Sequence, residues 1–524
     1  MEEIRRRSWI AGAALSVPLS AAAYYTWKID AMDRAGLLSV PGNPLLAPMD
    51  GVWIFLSAIA IGILLQWLIA GLASLSWRGD PGVIPALPLG LALFLAWLPF
   101  LLALYPSPGM NDTVYMMENP LRAVIQFPWA PSLFWGYGTA WSRSVFGTRE
   151  VFIFLAALCQ MGIIAAALSQ IAAWAGVRFG RIAGWGLFAY FALFPMVGNY
   201  AIASVRDPLY SLALLGWTVY LLEAADGKKW PLQLLVLLFL APPLLRSNGL
   251  LTVGVLGIAG AYLTKDYARH AAVFLLCAAV SVLPGKWILS SIGETPLFQE
   301  AAAIPIQQVG RVFVMDGDMD GEARALFSSY LSEETWKKAY SPYTVDFVKW
   351  HDDFRRGHLN ETKGEFLHAW WETGLRNPRL YAEGWMTETY ALWNLDPLEH
   401  QVQSRFGWAL TDGNTEHMQP ADNDNFATGD LPFPAPLKSA VGLWSFEGSR
   451  FLGAGFSLWL TILFGAVLYA KGQRRHLVLF LPLWINAASL LAATPASAVF
   501  RYSFGEVLIL PVVVLAVFCE KVRS

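Results

Sequence analysis

Long stretches without a single charged residue constrain this chain of 524 residues more than any other feature. Among the stretches that lack Asp, Glu, Lys and Arg throughout are 51–77, 83–105, 151–177 and 182–205. A helix of about 20 mostly apolar residues is long enough to cross the hydrocarbon core of a bilayer. Charged residues make up 15% of the chain, whereas a soluble domain has roughly 25%. The sequence therefore predicts a mainly α, polytopic membrane protein.

Eight further apolar stretches bring the predicted number of transmembrane helices to about 12. They are separated by charged residues or by turn residues, and three of them are short. The eight stretches are 8–26, 208–223, 230–245, 247–264, 271–290, 451–470, 477–494 and 498–519.

The basic residues between these stretches predict which way the helices face. Lys and Arg are concentrated in the cytoplasmic loops of membrane proteins. If the arginines at 5–7 are cytoplasmic, every loop that then falls inside is also basic, from Arg78 to Lys521 and Arg523. Both termini are therefore predicted to be cytoplasmic, and the first apolar stretch is predicted to remain as an uncleaved helix.

The net charge of -2 is the sum of an acidic part and a basic part of the chain. Residues 291–450 contain 24 acidic and 13 basic residues, whereas the remainder contains 15 acidic and 24 basic residues. The sequence predicts an extracytoplasmic soluble domain at 291–450. It also predicts an N-terminal transmembrane hairpin at 1–80, a membrane core at 81–290 with an outer loop at 106–150, and C-terminal transmembrane helices at 451–524.

Cysteine and acidic motifs favour no metal site. The three cysteines lie far apart in apolar stretches, which excludes a disulfide-rich scaffold and a cysteine-based zinc site. Asp316, Asp318 and Asp320 match the first half of an EF-hand loop, but Phe327 stands where the bidentate Glu is required. We expect this acidic turn to cap the helix that follows it, at about 322–331.

Polar residues of the kind found in active sites collect on the predicted outer side. Ionisable groups at membrane depth are costly and usually functional. Arginine presents a planar fork that suits phosphate oxygens, and a nearby Asp can act as a general base. Interfacial anchoring and salt bridges are the alternative interpretation. The candidate residues are Asp112, Glu118, Arg206, Asp207, Arg246, Asn248, Gln307, Gln308, Arg311, Arg501 and Tyr502.

Four short segments around these residues resemble a known class of membrane enzymes. They are SVRDPLY (204–210), LLRSNGL (244–250), IPIQQVGRV (304–312) and VFRYSF (499–504). Together with an acidic residue in the first large outer loop and a late outer domain, they resemble the GT-C superfamily of integral-membrane glycosyltransferases. The resemblance is to a bacterial branch, which implies the inner (plasma) membrane of a bacterium. Residues 1–80 would then be an addition before a GT-C-like core.

The resemblance implies an activity and roles for the candidate residues. A sugar would move from a polyprenyl-phosphate-linked donor to a glycan, glycolipid or protein acceptor. Asp112 would be the general base, with Glu118 and Asp207 in reserve. The donor phosphate would be held by Arg206, Arg246, Arg311 and Arg501. Substrate would be bound by Asn248, Gln307, Gln308 and Tyr502.

Several alternatives stay open at this point. Asp112 is a single carboxylate where many relatives have an acidic pair, so the need for a divalent metal is left undecided, and no other cofactor is implied. A ligase or polymerase of lipid-linked glycans would use the same type of donor. A transporter or lipid flippase is a further alternative, although the chain shows no pair of matching broken helices. Nothing in the sequence indicates a nucleic-acid partner.

Overall fold

The protein is described by a computed structural model that covers residues 2–80, 82–109, 111–396, 434–448, 453–493 and 500–521. Throughout these ranges the regular structure is helical, and the only β-type pairings are isolated bridges, Trp77 with Cys519 and Ser341 with Thr344. The prediction of a mainly α protein is confirmed. The predicted domain boundary at 450 falls outside the described residues.

The first part of the chain forms twelve α-helices up to residue 292. Their bounds are α1 Glu2–Arg34, α2 Asp50–Ser74, α3 Ala86–Ala103, α4 Asn111–Glu118, α5 Trp129–Phe146, α6 Glu150–Phe179, α7 Arg181–Leu193, α8 Pro195–Ile202, α9 Asp207–Ala225, α10 Leu232–Leu245, α11 Gly249–Thr264 and α12 Tyr267–Ile292.

The described remainder contains shorter helices, followed by apolar helices near the C-terminus. Their bounds are α13 Phe298–Ala301, α14 Ala303–Val314, α15 Gly321–Tyr330, α16 Glu333–Ala339, α17 Asp346–Lys349, α18 Arg356–Glu361, α19 Lys363–Arg376, α20 Pro378–Glu388, α21 Ala435–Gly448, α22 Ala454–Ala470, α23 Leu481–Ala493 and α24 Phe504–Phe518. Segments of 3₁₀ helix lie at Arg122–Ile125, Tyr390–Leu392, Arg474–Phe480 and Phe500–Ser503.

Seven helical segments in the described ranges are long and apolar enough to cross a membrane. Five are α2, α3, α6, α9 and α12, and the other two are Arg474–Ala493 and Phe500–Phe518. The pair α7 and α8 could form an eighth span, bent by 61° where Phe194 is followed by Pro195. Helices α10, α11 and α22 are apolar but shorter. These lengths indicate a membrane protein.

The first two helices form a closely packed pair because small residues face each other between them. A Cβ atom at Gly12 would lie 2.9 Å from the backbone nitrogen of Gln66, which leaves room only for glycine. At one end of the pair, Lys28 forms an ion pair of 2.8 Å with the buried carboxylate of Asp50. Helix α1 extends well beyond the stretch predicted at 8–26.

Helix α9 lies at the centre of the largest apolar core and is buried along most of its length. The same core contains α6, α8 and α24, and the rings of Tyr200 and Phe504 stack with centroids 4.4 Å apart. Since α9 is surrounded by other helices, the residues at its beginning are held by packing from several sides. Those residues include Arg206 and Asp207.

Residues 302–369 have an apolar core of their own, formed around Phe313, Phe327, Trp336 and Phe366. Asp320 accepts a hydrogen bond of 2.7 Å from the backbone nitrogen of Ala323 at the start of α15, so the predicted acidic cap is confirmed. Which side of a membrane this region occupies stays a prediction.

Candidate functional site

Several helices begin at the same place in the fold. Asp112 lies in the first turn of α4, Asp207 is the first residue of α9, and Asn248 directly precedes α11. Arg501 belongs to the 3₁₀ segment that leads into α24. Unpaired backbone N–H groups and the helix dipole make helix N-termini favourable for anions. The fold therefore brings a positive potential to the same place as the predicted arginines.

The side chains at these helix ends form one network of ion pairs, which we call the arginine–aspartate cluster. Its members are Arg206, Arg246, Arg501, Asp112 and Asp207. The Asp112 carboxylate lies 3.0 Å from the Arg501 guanidinium and 3.4 Å from that of Arg206. Asp207, which is 1% exposed, lies 2.7 Å from Arg246 and 3.9 Å from Arg501. Three cations face two anions, so the cluster has an excess of one positive charge.

Aromatic rings lie against all three guanidinium groups of the cluster, with Arg501 4.9 Å from the ring centroid of Tyr502. The Arg206 guanidinium lies 4.4 Å from the ring centroid of Phe127, and that of Arg246 lies 4.3 Å from Tyr502 and 5.5 Å from Tyr210. Such cation–π contacts stabilise an arginine in one orientation. The flat donor forks are therefore held in place before any ligand arrives.

Hydrogen bonds between distant segments place the start of α4 beside the turn that precedes α9. Thr113 donates its hydroxyl to the carbonyl oxygen of Ser204 at 2.7 Å, and both residues are buried. From inside α6, the side-chain amide of Gln160 donates to the carbonyl oxygen of Ala203 at 2.6 Å. These contacts satisfy buried backbone groups in an irregular turn. They also set the first aspartate of the cluster beside its first arginine.

The cluster lines a cavity of about 500 Å³. Every cluster member except the deeply buried Asp207 contributes to its wall, together with Asn248 and Tyr502. Other parts of the wall come from the region after residue 292 and include Lys349 and Trp350. The cavity thus lies between the apolar helices and the region with its own core.

Arg206 and Asn248, which both line this cavity, have buried polar atoms without a hydrogen-bond partner among the described residues. For Arg206 they are Nε and Nη1, and for Asn248 the atom is the amide oxygen Oδ1. A buried donor or acceptor without a partner costs about 1–3 kcal/mol. Such atoms beside a cavity are therefore sites at which a ligand would gain affinity.

The neighbouring arginines determine the protonation of Asp112. Burial alone would raise the pKa of its carboxyl group. The positive charges of Arg501 and Arg206 outweigh this effect and hold the pKa below its usual value. Asp112 is consequently ionised at neutral pH while both arginines are beside it.

Besides Asp207, four predicted site residues do not line this cavity. Glu118 ends α4 and is exposed. Arg311 is 0% exposed and pairs with Glu383 at 2.7 Å. Gln307 donates to the carbonyl oxygens of Ser341 and Pro342, and Gln308 accepts from the indole of Trp370. Gln307 and Gln308 are occupied by contacts with residues that follow α14, and Arg311 also donates to the carbonyl oxygen of Leu38.

Other residues contribute to the site without having been predicted from the sequence. Lys349 and Trp350 lie in an acidic, aromatic segment without a motif that indicates a binding site. Gln160 is a polar residue within a long apolar stretch. Such a residue is itself a signal, because a buried amide in a transmembrane helix needs a hydrogen-bond partner. For a metal, the described residues contain no group of three His, Cys, Asp or Glu that could bind one.

These features define an α-helical protein of membrane type with a buried arginine–aspartate centre. The chain belongs to a family of unknown function, DUF6020, whose family model matches residues 123–524. The match includes all three arginines of the cluster, whereas Asp112 lies before its first residue. Neither the curated proteins nor the solved structures include a match to this chain.

Proposed function

We propose that this protein is a membrane glycosyltransferase that moves a sugar from a polyprenyl-phosphate-linked donor to an acceptor. The observation that supports this most is Arg206. Two of its buried nitrogens lack a hydrogen-bond partner among the described residues, and its third lies 3.4 Å from the candidate base Asp112. A phosphate would satisfy the open donors of this fork.

In the proposed reaction, Arg206, Arg246 and Arg501 hold the donor phosphate. An acceptor hydroxyl attacks the anomeric carbon, the bond from that carbon to the phosphate oxygen breaks, and Asp112 takes the hydroxyl proton. The arginines stabilise the negative charge on the departing lipid phosphate. Asp207 lies closest to Arg246, at 2.7 Å, and holds this arginine in the cluster.

Binding of the donor would also prepare Asp112 to act as a base. Phosphate oxygens compete with the carboxylate for Arg206 and Arg501, which keep its pKa low. When a phosphate neutralises these arginines, the pKa of Asp112 rises towards its usual value. The base then strengthens only when the donor is in place.

The proposal includes a topology and a location. Twelve transmembrane helices, with both termini in the cytoplasm, put the cluster and residues 291–450 on the extracytoplasmic side of a bacterial inner membrane. The alternating basic loops support this arrangement. A lipid-linked donor would then keep its tail in the bilayer while a glycan, glycolipid or protein acceptor approaches from the aqueous side.

A binding experiment tests the phosphate site. Purified full-length protein would be titrated with polyprenyl phosphate and with the uncharged polyprenol of the same length. We expect the phosphate to bind more tightly, and we expect Arg206→Ala or Arg246→Ala to weaken its binding about tenfold or more. Lys at either position should rescue binding only in part, because the planar fork is lost.

Arg122→Ala is the matched control, since Arg122 lies in the same outer loop region, is 67% exposed and pairs with Glu294 at 3.7 Å. Its affinity for polyprenyl phosphate should equal that of the wild type. Equal binding of polyprenol and polyprenyl phosphate, or unchanged affinity in both cluster variants, would contradict the proposed function.

A further inference from the structure

Asn248 occupies a capping position but does not cap its helix. It directly precedes α11, where Asn is among the favoured N-cap residues because its side-chain oxygen accepts from the first backbone N–H groups. Here the side chain makes no capping hydrogen bond, and the residue has helical backbone angles of φ -78 and ψ -6. Something other than the helix end therefore orients this amide.

A short chain of hydrogen bonds sets that orientation. Asn248 donates from Nδ2 to the Ser489 hydroxyl at 2.7 Å, and Ser489 in turn donates to the carbonyl oxygen of Asn486 at 2.7 Å. In this arrangement the hydroxyl proton of Ser489 goes to Asn486, and Ser489 accepts from the amide nitrogen of Asn248. The amide oxygen Oδ1 then points away from Ser489.

The amide oxygen Oδ1 of Asn248 is a hydrogen-bond acceptor at the same cavity as the Arg206 donors that lack a partner. Oδ1 of Asn248 is buried without a hydrogen-bond partner among the described residues, and Asn248 and Ser489 both line the cavity. A fully ionised phosphate presents only acceptors and cannot satisfy a carbonyl oxygen. A ligand that satisfies both residues must combine an anion with a nearby O–H or N–H donor.

We infer that Asn248 recognises the sugar of the donor: its Oδ1 accepts a hydrogen bond from a hydroxyl or amide N–H on the ring attached to the phosphate. This inference rests on the proposed function and deepens it, because it separates the phosphate-binding residue from the sugar-reading residue. Asn248 would then distinguish the glycosylated donor from the bare lipid phosphate that remains after transfer. Ser489 is a positioning residue that acts through Asn248.

The test compares polyprenyl phosphate with its glucosyl, galactosyl and N-acetylglucosaminyl derivatives on the purified full-length protein. The wild type should bind at least one glycosylated lipid more tightly than polyprenyl phosphate. Asn248→Ala should weaken binding of that lipid about three- to tenfold, the range expected for one lost hydrogen bond, and leave polyprenyl phosphate unaffected. Ser489→Ala should have a smaller effect of the same kind, since Oδ1 is kept but is less well oriented.

Asn43→Ala, in the segment between α1 and α2 and outside the cavity wall, is the matched control and should bind every lipid as the wild type does. The inference is overturned if Asn248→Ala keeps the preference of the wild type, if it weakens all four lipids equally, or if no glycosylated lipid binds more tightly than polyprenyl phosphate. Failure of the proposed function gives a different result, namely that polyprenyl phosphate itself does not bind or binds equally well to Arg206→Ala.

Discussion

At the scale of single residues, Asp112 is the group on which the proposed chemistry depends. Asp112→Asn keeps the shape of the side chain and removes its charge. Removal of a general base typically slows a reaction 10²–10⁴-fold, and we expect a loss of transfer on that scale. Binding of polyprenyl phosphate should be retained, because the variant removes an anion that competes for Arg206 and Arg501.

Transfer of radiolabelled sugar from glycosylated polyprenyl phosphate into a membrane acceptor fraction measures this effect. Normal turnover of Asp112→Asn together with inactivity of Glu118→Gln or Asp207→Asn would mean that the base is misassigned. Normal turnover of all three variants would rule out the proposed base mechanism.

The pH dependence of transfer follows from the arginines beside Asp112. The base form of Asp112 is lost as pH falls through its pKa, and Arg501 and Arg206 hold this pKa below the usual value. The acidic limb of the pH–rate profile of kcat/KM should therefore lie below the ordinary Asp pKa of about 3.9. Arg206→Ala removes one of the positive charges that lower this pKa and should move the limb to higher pH.

Arg122→Ala should leave this limb where it is in the wild type, because Arg122 pairs with Glu294 instead. An acidic limb that is identical in the wild type and in Arg206→Ala would show that Asp112 is not the titrating group. The same low pKa makes ionised Asp112 a stabilising group at neutral pH, and this stability is lost as pH falls towards the pKa in the folded state.

At the scale of helices, Arg311 joins separate elements of the fold. From α14 it reaches Glu383 in α20 and the carbonyl oxygen of Leu38, which follows α1. Arg311 and Glu383 are both 0% exposed. Removing one partner of a buried ion pair leaves an uncompensated charge and costs about 3–5 kcal/mol.

We therefore expect Arg311→Ala and Glu383→Ala each to lower the thermal unfolding temperature of the purified protein strongly. The double variant should be less destabilised than the sum of the two single variants, because no unpaired charge remains. Below its unfolding temperature, Arg311→Ala should still bind polyprenyl phosphate normally. A selective loss of lipid-phosphate binding in a fully folded Arg311→Ala protein would indicate that Arg311 binds the donor phosphate.

At the scale of the whole molecule, the proposed topology has a direct test. After replacement of the three native cysteines, single cysteines would be introduced at Gly364, which has open space around it, and at the exposed Gln473. In intact cells a membrane-impermeant maleimide should label position 364 and should not label position 473. Permeabilised cells should allow both to react, and the reverse pattern in intact cells would overturn the topology.

The sequence by itself determined that the chain is helical and apolar enough for a membrane. Hydropathy is summed over neighbouring residues of one helix, so it can be read locally, and the stretches 51–77, 83–105, 151–177 and 182–205 are mostly helical. The cap at Asp320 was equally local. Arg206, Arg246 and Arg501 could be selected because each interrupts or begins an apolar stretch.

Only the tertiary structure decided which of the candidates meet. Arg311 resembles the other arginines in sequence, but it pairs with Glu383 away from the cluster. Arg501, which is far from Asp112 in the sequence, pairs with that residue. Trp350 joins the cavity without any motif. Ion pairs and cavity walls depend on how helices pack against one another, and this packing is set by contacts between distant residues that no local pattern contains.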